Sequence, residues 1–72
     1  MNSLDLHGES YEEAEQLSVV FIEKNIDNLP VEIITGNSND MKKIILNIAN
    51  KLNLNVYPKN HYNLGCLIVN NY

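Results

Sequence analysis

The chain has no arginine and no tryptophan, and only one cysteine, two prolines and three glycines in 72 residues. Without arginine, its five basic residues are all lysine; nine acids oppose them, for a formal net charge of −4. Strong nonspecific binding along a duplex needs a clear basic patch. This composition supplies none, though it leaves room for a compact site on a nucleic acid. The lone Cys66 excludes a disulfide framework and any multi-cysteine zinc site, and makes the cytoplasm the expected location. The longest apolar runs, Val19–Ile22 and Cys66–Val69, fall far short of the roughly 20 residues of a membrane span, so no membrane association is expected. No basic start precedes an apolar stretch, so no secretory leader is expected. Abundant asparagine beside absent arginine reads as AT-rich coding, as in some viral genomes, where the location would be the host cytoplasm. It carries no chemistry.

What is present fits one small globular domain over residues 1–72. Hydrophobic residues make up 44% of the chain, an ordinary share that argues against disorder. Ser3-Leu4-Asp5-Leu6-His7 alternates with the period of a half-buried strand, ended by Gly8. Ser10-Tyr11-Glu12-Glu13 has the form of a capping box. Ala14, Leu17 and Phe21 then recur at helical spacing, widened by Val20, which predicts a helix over 11–25 with that stripe inward. Val31 to Thr35 is a β-branched strand closed by Gly36. Asn37, Ser38 and Asn39 are competent caps for a second helix, whose inward face is Met41, Ile45, Ile48 and Leu52 with Ile44 beside them. Val56-Tyr57 makes a third strand, kept short by Pro58. Residues 60–65 form a turn-rich loop. Cys66 to Val69, apolar on both faces, reads as a central strand.

The order is β-α-β-α-β-β. Helical crossovers make the first three strands parallel, and the last two close as a hairpin. The expected architecture is a two-layer α/β sandwich with a mixed four-stranded sheet.

Two segments can carry chemistry. In the first, alternation turns Asp5 and His7 away from Leu4 and Leu6, roughly 7 Å apart. A carboxylate and an imidazole so placed can grip one ligand, or one can orient the other, and histidine serves as acid or base near neutral pH. Gly8 allows close approach. Equally, both are what the polar face of an edge strand would carry. In the second segment, Thr35-Gly36-Asn37-Ser38-Asn39 joins a strand to a helix. Free amides at a helix start attract anions, and Lys42 and Lys43 add positive charge, while Asp40 opposes it. A plain capped connection would look the same. If the two strands are parallel neighbours, both segments meet at the carboxyl edge of the sheet, where open α/β sheets bind ligands.

Other features have plainer readings. Glu9, Glu12, Glu13 and Glu15 complement the first helix's dipole. Cys66 reads as a small buried hydrophobe. His61 lies in the late loop, and Tyr57, Tyr62 and Tyr72 offer stacking surfaces.

Leu4-Asp5-Leu6-His7-Gly8, followed by Ala14 and Leu17, resembles the opening motif of Smr (small MutS-related) domains. Ile33-Ile34-Thr35-Gly36 is similar to their second motif, although Ser38 stands where the family has its second glycine. Asn63-Leu64-Gly65 before an apolar strand resembles their closing segment. The resemblance runs from Ser3 to about Val69. It implies a sandwich similar to the C-terminal domain of translation initiation factor three, nucleic-acid binding and, in many members, endonuclease activity on RNA or DNA. By position, Asp5 and His7 match the motif linked to cleavage, Thr35 and Gly36 the second motif, and Gly65 the third.

Two functions follow as expectations. In the first, an endonuclease acting on RNA rather than DNA uses His7 as general acid or base and Asp5 to orient it, or to position a water or metal. The Gly36 to Asn39 amides and Lys42 or Lys43 hold a phosphate. No cofactor is specified; magnesium or manganese stays open, since one Asp and one His are too few for a complete metal site. In the second, which Ser38 and the acidic balance favour, the chain is a non-catalytic module binding nucleic acid, ribosome or protein.

Overall fold

The computed structural model describes all residues, 1–72, in the order β1 (Ser3–Asp5), α1 (Tyr11–Lys24), β2 (Val31–Ile34), α2 (Asn39–Lys51), β3 (Asn55–Pro58) and β4 (Cys66–Asn70). The sheet runs β1-β2-β4-β3. β1 pairs parallel with β2, and β4 antiparallel with both β2 and β3. The first three strands therefore share one direction, and β4 is central, as its two apolar faces predict. Both crossovers step the same way across the sheet, and right-handed connections then put both helices on one face.

The core is the layer between. Leu6, Val31, Ile33, Leu54, Leu67 and Val69 meet Ala14, Ile22, Met41, Ile45, Ile48 and Ala49. Strand alternation turns Ser3, Asp5, Glu32, Ile34, Tyr57, Cys66 and Ile68 to the opposite face, which no helix covers. There Glu32 accepts a hydrogen bond from Ser3 Oγ at 3.0 Å and pairs with Lys59 Nζ at 2.7 Å.

Two local expectations are corrected. The first strand stops at Asp5, so His7 does not continue its face: residues 7 and 8 form a turn closed by the Glu9 amide donating to the Leu6 carbonyl. The inward face of α1 is also rotated from the predicted stripe. Ala14, Ser18 and Ile22 are fully buried, Phe21 is half-buried, and Leu17 and Val20 are exposed. The small Ala14 and Ser18 let the helix approach the core closely, although the Ser18 hydroxyl is buried without a hydrogen-bond partner.

α2 behaves as its pattern predicts. Ser38 Oγ caps it by accepting from the Met41 amide at 3.1 Å. At its other end Asn53 takes a left-handed φ of 58°. The amides of Asn53 and Leu54 donate to the carbonyls of Asn50 and Ala49, a Schellman closure.

Candidate functional site

Parallel register sets Asp5 beside Ile34, and the Leu6 amide donates to the Ile34 carbonyl at 3.0 Å. The segments after β1 and β2 therefore leave the sheet side by side. Antiparallel register brings Cys66, the first residue of β4, beside Ile34 as well. Residues 6–10, 35–39 and 59–65 thus converge on one sheet edge, as parallel pairing of the first two strands predicts for the first two of them.

Each segment is locally determined. Gly8 takes a φ of +81°, in the left-handed region that a side chain resists. His7 precedes it and is exposed. The Asp5 carboxylate does not reach the imidazole: its Oδ1 accepts from the His7 backbone amide at 2.8 Å. This fixes where the His7 main chain leaves the strand and leaves the ring without a protein partner.

The second and third segments are joined. The amides of Thr35 and Gly36 both donate to the Gly65 carbonyl, at 2.8 and 3.1 Å. The Thr35 hydroxyl lies 3.2 Å from the same oxygen and 3.0 Å from the Gly36 carbonyl. A Cβ on Gly65 would stand 2.9 Å from the Gly36 backbone, so the two glycines touch main chain to main chain. Thr35, Gly36 and Gly65 thus have a structural role at this edge. Thr35 and Gly65 are buried, the Gly36 amide is already used, and the three hold the loop in place.

What remains free lies just beyond. The amides of Asn37, Ser38, Asn39 and Asp40 have no partner within the protein. They stand at the start of α2, where the dipole favours an anion. Lys42 is half-buried and Lys43 exposed on the same helix. Around them the charge is mixed. Asp40 sits in the first turn of α2, and Glu12 and Glu13 in the first turn of α1. The Ser10 hydroxyl accepts from the Glu13 amide at 3.1 Å. The reciprocal half of that capping box is absent; the neighbouring Glu13 carboxyl instead holds Glu9 above its ordinary pKa.

The late loop is organised by Asn60, whose side chain accepts from the amides of Tyr62 and Asn63 at 2.9 and 2.7 Å. His61 is exposed and Tyr62 is 99% exposed. On the uncovered sheet face, burial pushes the Cys66 thiol pKa up, and the neighbouring Glu32 carboxylate adds to it. Cys66 is a buried thiol, as its apolar strand implies.

No three His, Cys, Asp or Glu side chains come together as a metal site. The two surface grooves lie elsewhere, one between α1 and α2 and one beside β1; neither is lined by His7 or by residues 35–40. The converged edge is an open surface with no groove at it. No helix is long and apolar enough to cross a membrane. The Asn60 clamp and the Gly65–Gly36 contact escaped the sequence reading; the closing Asn-Leu-Gly pattern was the only local sign of the second. No family model matches the sequence, and no curated protein matches it.

Proposed function

We propose that this edge binds the phosphodiester backbone of a nucleic acid, RNA in preference to DNA. On this reading His7 acts there as general acid or base, so that the chain is a small endonuclease of the Smr type. The observation that carries the reading is the convergence of an exposed, unpartnered imidazole with four unpartnered amides at one open edge of the sheet. The amides of Asn37 to Asp40, with Lys42 or Lys43, take the phosphate oxygens. Asp5 acts as a positioning residue through the His7 main chain. Thr35, Gly36 and Gly65 keep the cradle in shape, and Gly8 turns the chain so that His7 projects. RNA is favoured chemically because its 2′-hydroxyl is a nucleophile next to the scissile bond. The imidazole takes the 2′-hydroxyl proton as the 2′-oxygen bonds to phosphorus; the bond from phosphorus to the 5′-oxygen breaks, and the 5′-oxygen leaves with a proton from the imidazolium so formed or from water.

A second reading has its own observation. The Asp5 carboxylate serves the backbone and not the imidazole, and Glu12, Glu13 and Asp40 surround the edge. That pattern suits a non-catalytic module that docks on nucleic acid, a ribosome or a protein.

Labelled structured and unstructured RNA, incubated with magnesium, manganese or chelator, separates the two. Under the first reading His7→Ala lowers cleavage by about 100-fold or more while the fold survives, and Asp5→Asn lowers it less. Cleavage undiminished in the double variant would place the chemistry elsewhere. Binding without cleavage by the parent protein in every condition selects the second reading.

A further inference from the structure

β1 is an edge strand with nothing beyond it. The Leu6 amide and the Asn2 carbonyl bond to β2, so by alternation the main-chain groups of Ser3 and Asp5 point outward, unpaired. Beside this edge lies a groove of about 630 Å³ between β1 and α1. Its apolar lining is Leu4, Leu17, Val20 and Phe21. Leu17 is 42% and Val20 52% exposed, which is why the inward face of α1 differs from the apolar stripe in its sequence.

The charges along the groove are ordered. Glu13, Leu17, Val20 and Lys24 follow one another at spacings of four, three and four, a single line along α1. The acid is at the amino end, with Glu9 beside it, and the base is at the carboxyl end. A line of this kind complements its own antiparallel copy: a two-fold axis between Leu17 and Val20 sets Glu13 against Lys24 of a second molecule, and the reverse. The same operation, with the axis passing beside Leu4, pairs Ser3 with Asp5 of the second copy, the residues whose main-chain groups face outward. Strand edge, apolar line and charge order thus agree on one isologous contact.

We propose that this face is the interface of a two-fold dimer of this chain, joined through antiparallel β1 strands and α1 helices into a continuous eight-stranded sheet. Glu9 and Glu13, two acids lining the same end of the groove, receive the cation they lack from the second molecule's Lys24. The proposal does not rest on the nucleic-acid reading.

Sedimentation equilibrium of the purified chain tests it, with helicity checked by circular dichroism. The parent protein should sediment at twice its 8.2 kDa chain mass. Glu13→Lys alone sets lysine against Lys24, and Lys24→Glu alone sets glutamate against Glu13; each should weaken self-association by at least about tenfold. Mixing the two variants restores both opposite-charge contacts, so the mixture should dimerise where neither variant does. Leu17→Lys, at an exposed position, should give a folded monomer. A parent protein that stays monomeric up to about 0.5 mM overturns the proposal. So does a dimer indifferent to both charge reversals and to Leu17→Lys, which would use another surface.

Discussion

At Gly65 the chain has no room for a side chain. A methyl group there would press on the Gly36 main chain at 2.9 Å, and backbone cannot swing aside as a flexible side chain can. Gly65→Ala should cost about 1–3 kcal/mol, the usual scale of overpacking, and should loosen the Thr35 and Gly36 bonds to the residue 65 carbonyl. Thermal denaturation measures the first effect. The second would appear as faster hydrogen exchange at the Thr35 and Gly36 amides than at the amides of α2. The contact spans 29 residues of sequence, so neither glycine by itself betrays it. The convergence of the segments after the first two strands and the Ser38 cap were legible, because parallel pairing and cap chemistry follow local rules. The partner of the Asp5 carboxylate was not: the strand was read as running through His7, whereas it ends at Asp5 and the next residues turn.

Among the elements, α2 was easy to read and α1 was not, for one physical reason. The predicted apolar stripe of α2 lies on the side that packs, with Ile45 fully buried, while Leu46 and Lys51 are exposed. Ile45→Asp should therefore leave the chain unfolded, since an unpaired buried carboxylate costs several kcal/mol and a domain this small has roughly 5 kcal/mol to lose. Lys51→Glu should change stability by less than about 0.5 kcal/mol. Circular dichroism of the two variants decides this, and a cooperative, helical Ile45→Asp protein would contradict the packing described. α1 carries two apolar lines instead of one. The line with the larger side chains, Leu17 and Val20, looks like the core face, yet the small residues Ala14 and Ser18 pack inward beside Ile22. Apolar periodicity locates a helix well; it does not choose between two adjacent apolar faces when close packing favours the smaller residues.

On the scale of the whole molecule, the uncovered sheet face sets a pH dependence. Lys59, then the neighbouring Cys66 thiol and the Ser3 hydroxyl, hold the Glu32 carboxyl below its ordinary value of 4.5, with the Lys59 hydrogen bond the largest cause. A carboxylate whose pKa is lowered by folding contributes stability above its unfolded value, and loses it as pH falls through the lower, folded value. Glu32→Gln should therefore lower Tm by about 2–5 °C near neutrality, with the gap to the parent closing progressively below the ordinary carboxyl value. Melting curves across the acid range check this. A gap that stayed constant into strong acid would mean that Glu32 contributes by packing and not by charge. The strand directions and the central place of β4 followed from the helical crossovers and from the two apolar faces of β4. What the sequence could not supply was any sign that Glu32 and Lys59 meet, because β2 and the residues after β3 come together only across β4.

The functional reading rests on the same edge, and the amides after Gly36 report on it directly. The most direct measurement is a titration of the isotope-labelled protein with a short single-stranded RNA, followed by amide chemical shifts. Binding at the proposed edge moves the amides of Asn37 to Asp40 and of His7 first and furthest, with Thr35 and Gly36 following more weakly because they are tied to Gly65. No movement at saturating RNA, or movement confined to the α1–α2 groove or the β3 edge, would contradict the assignment of this edge as the phosphodiester site.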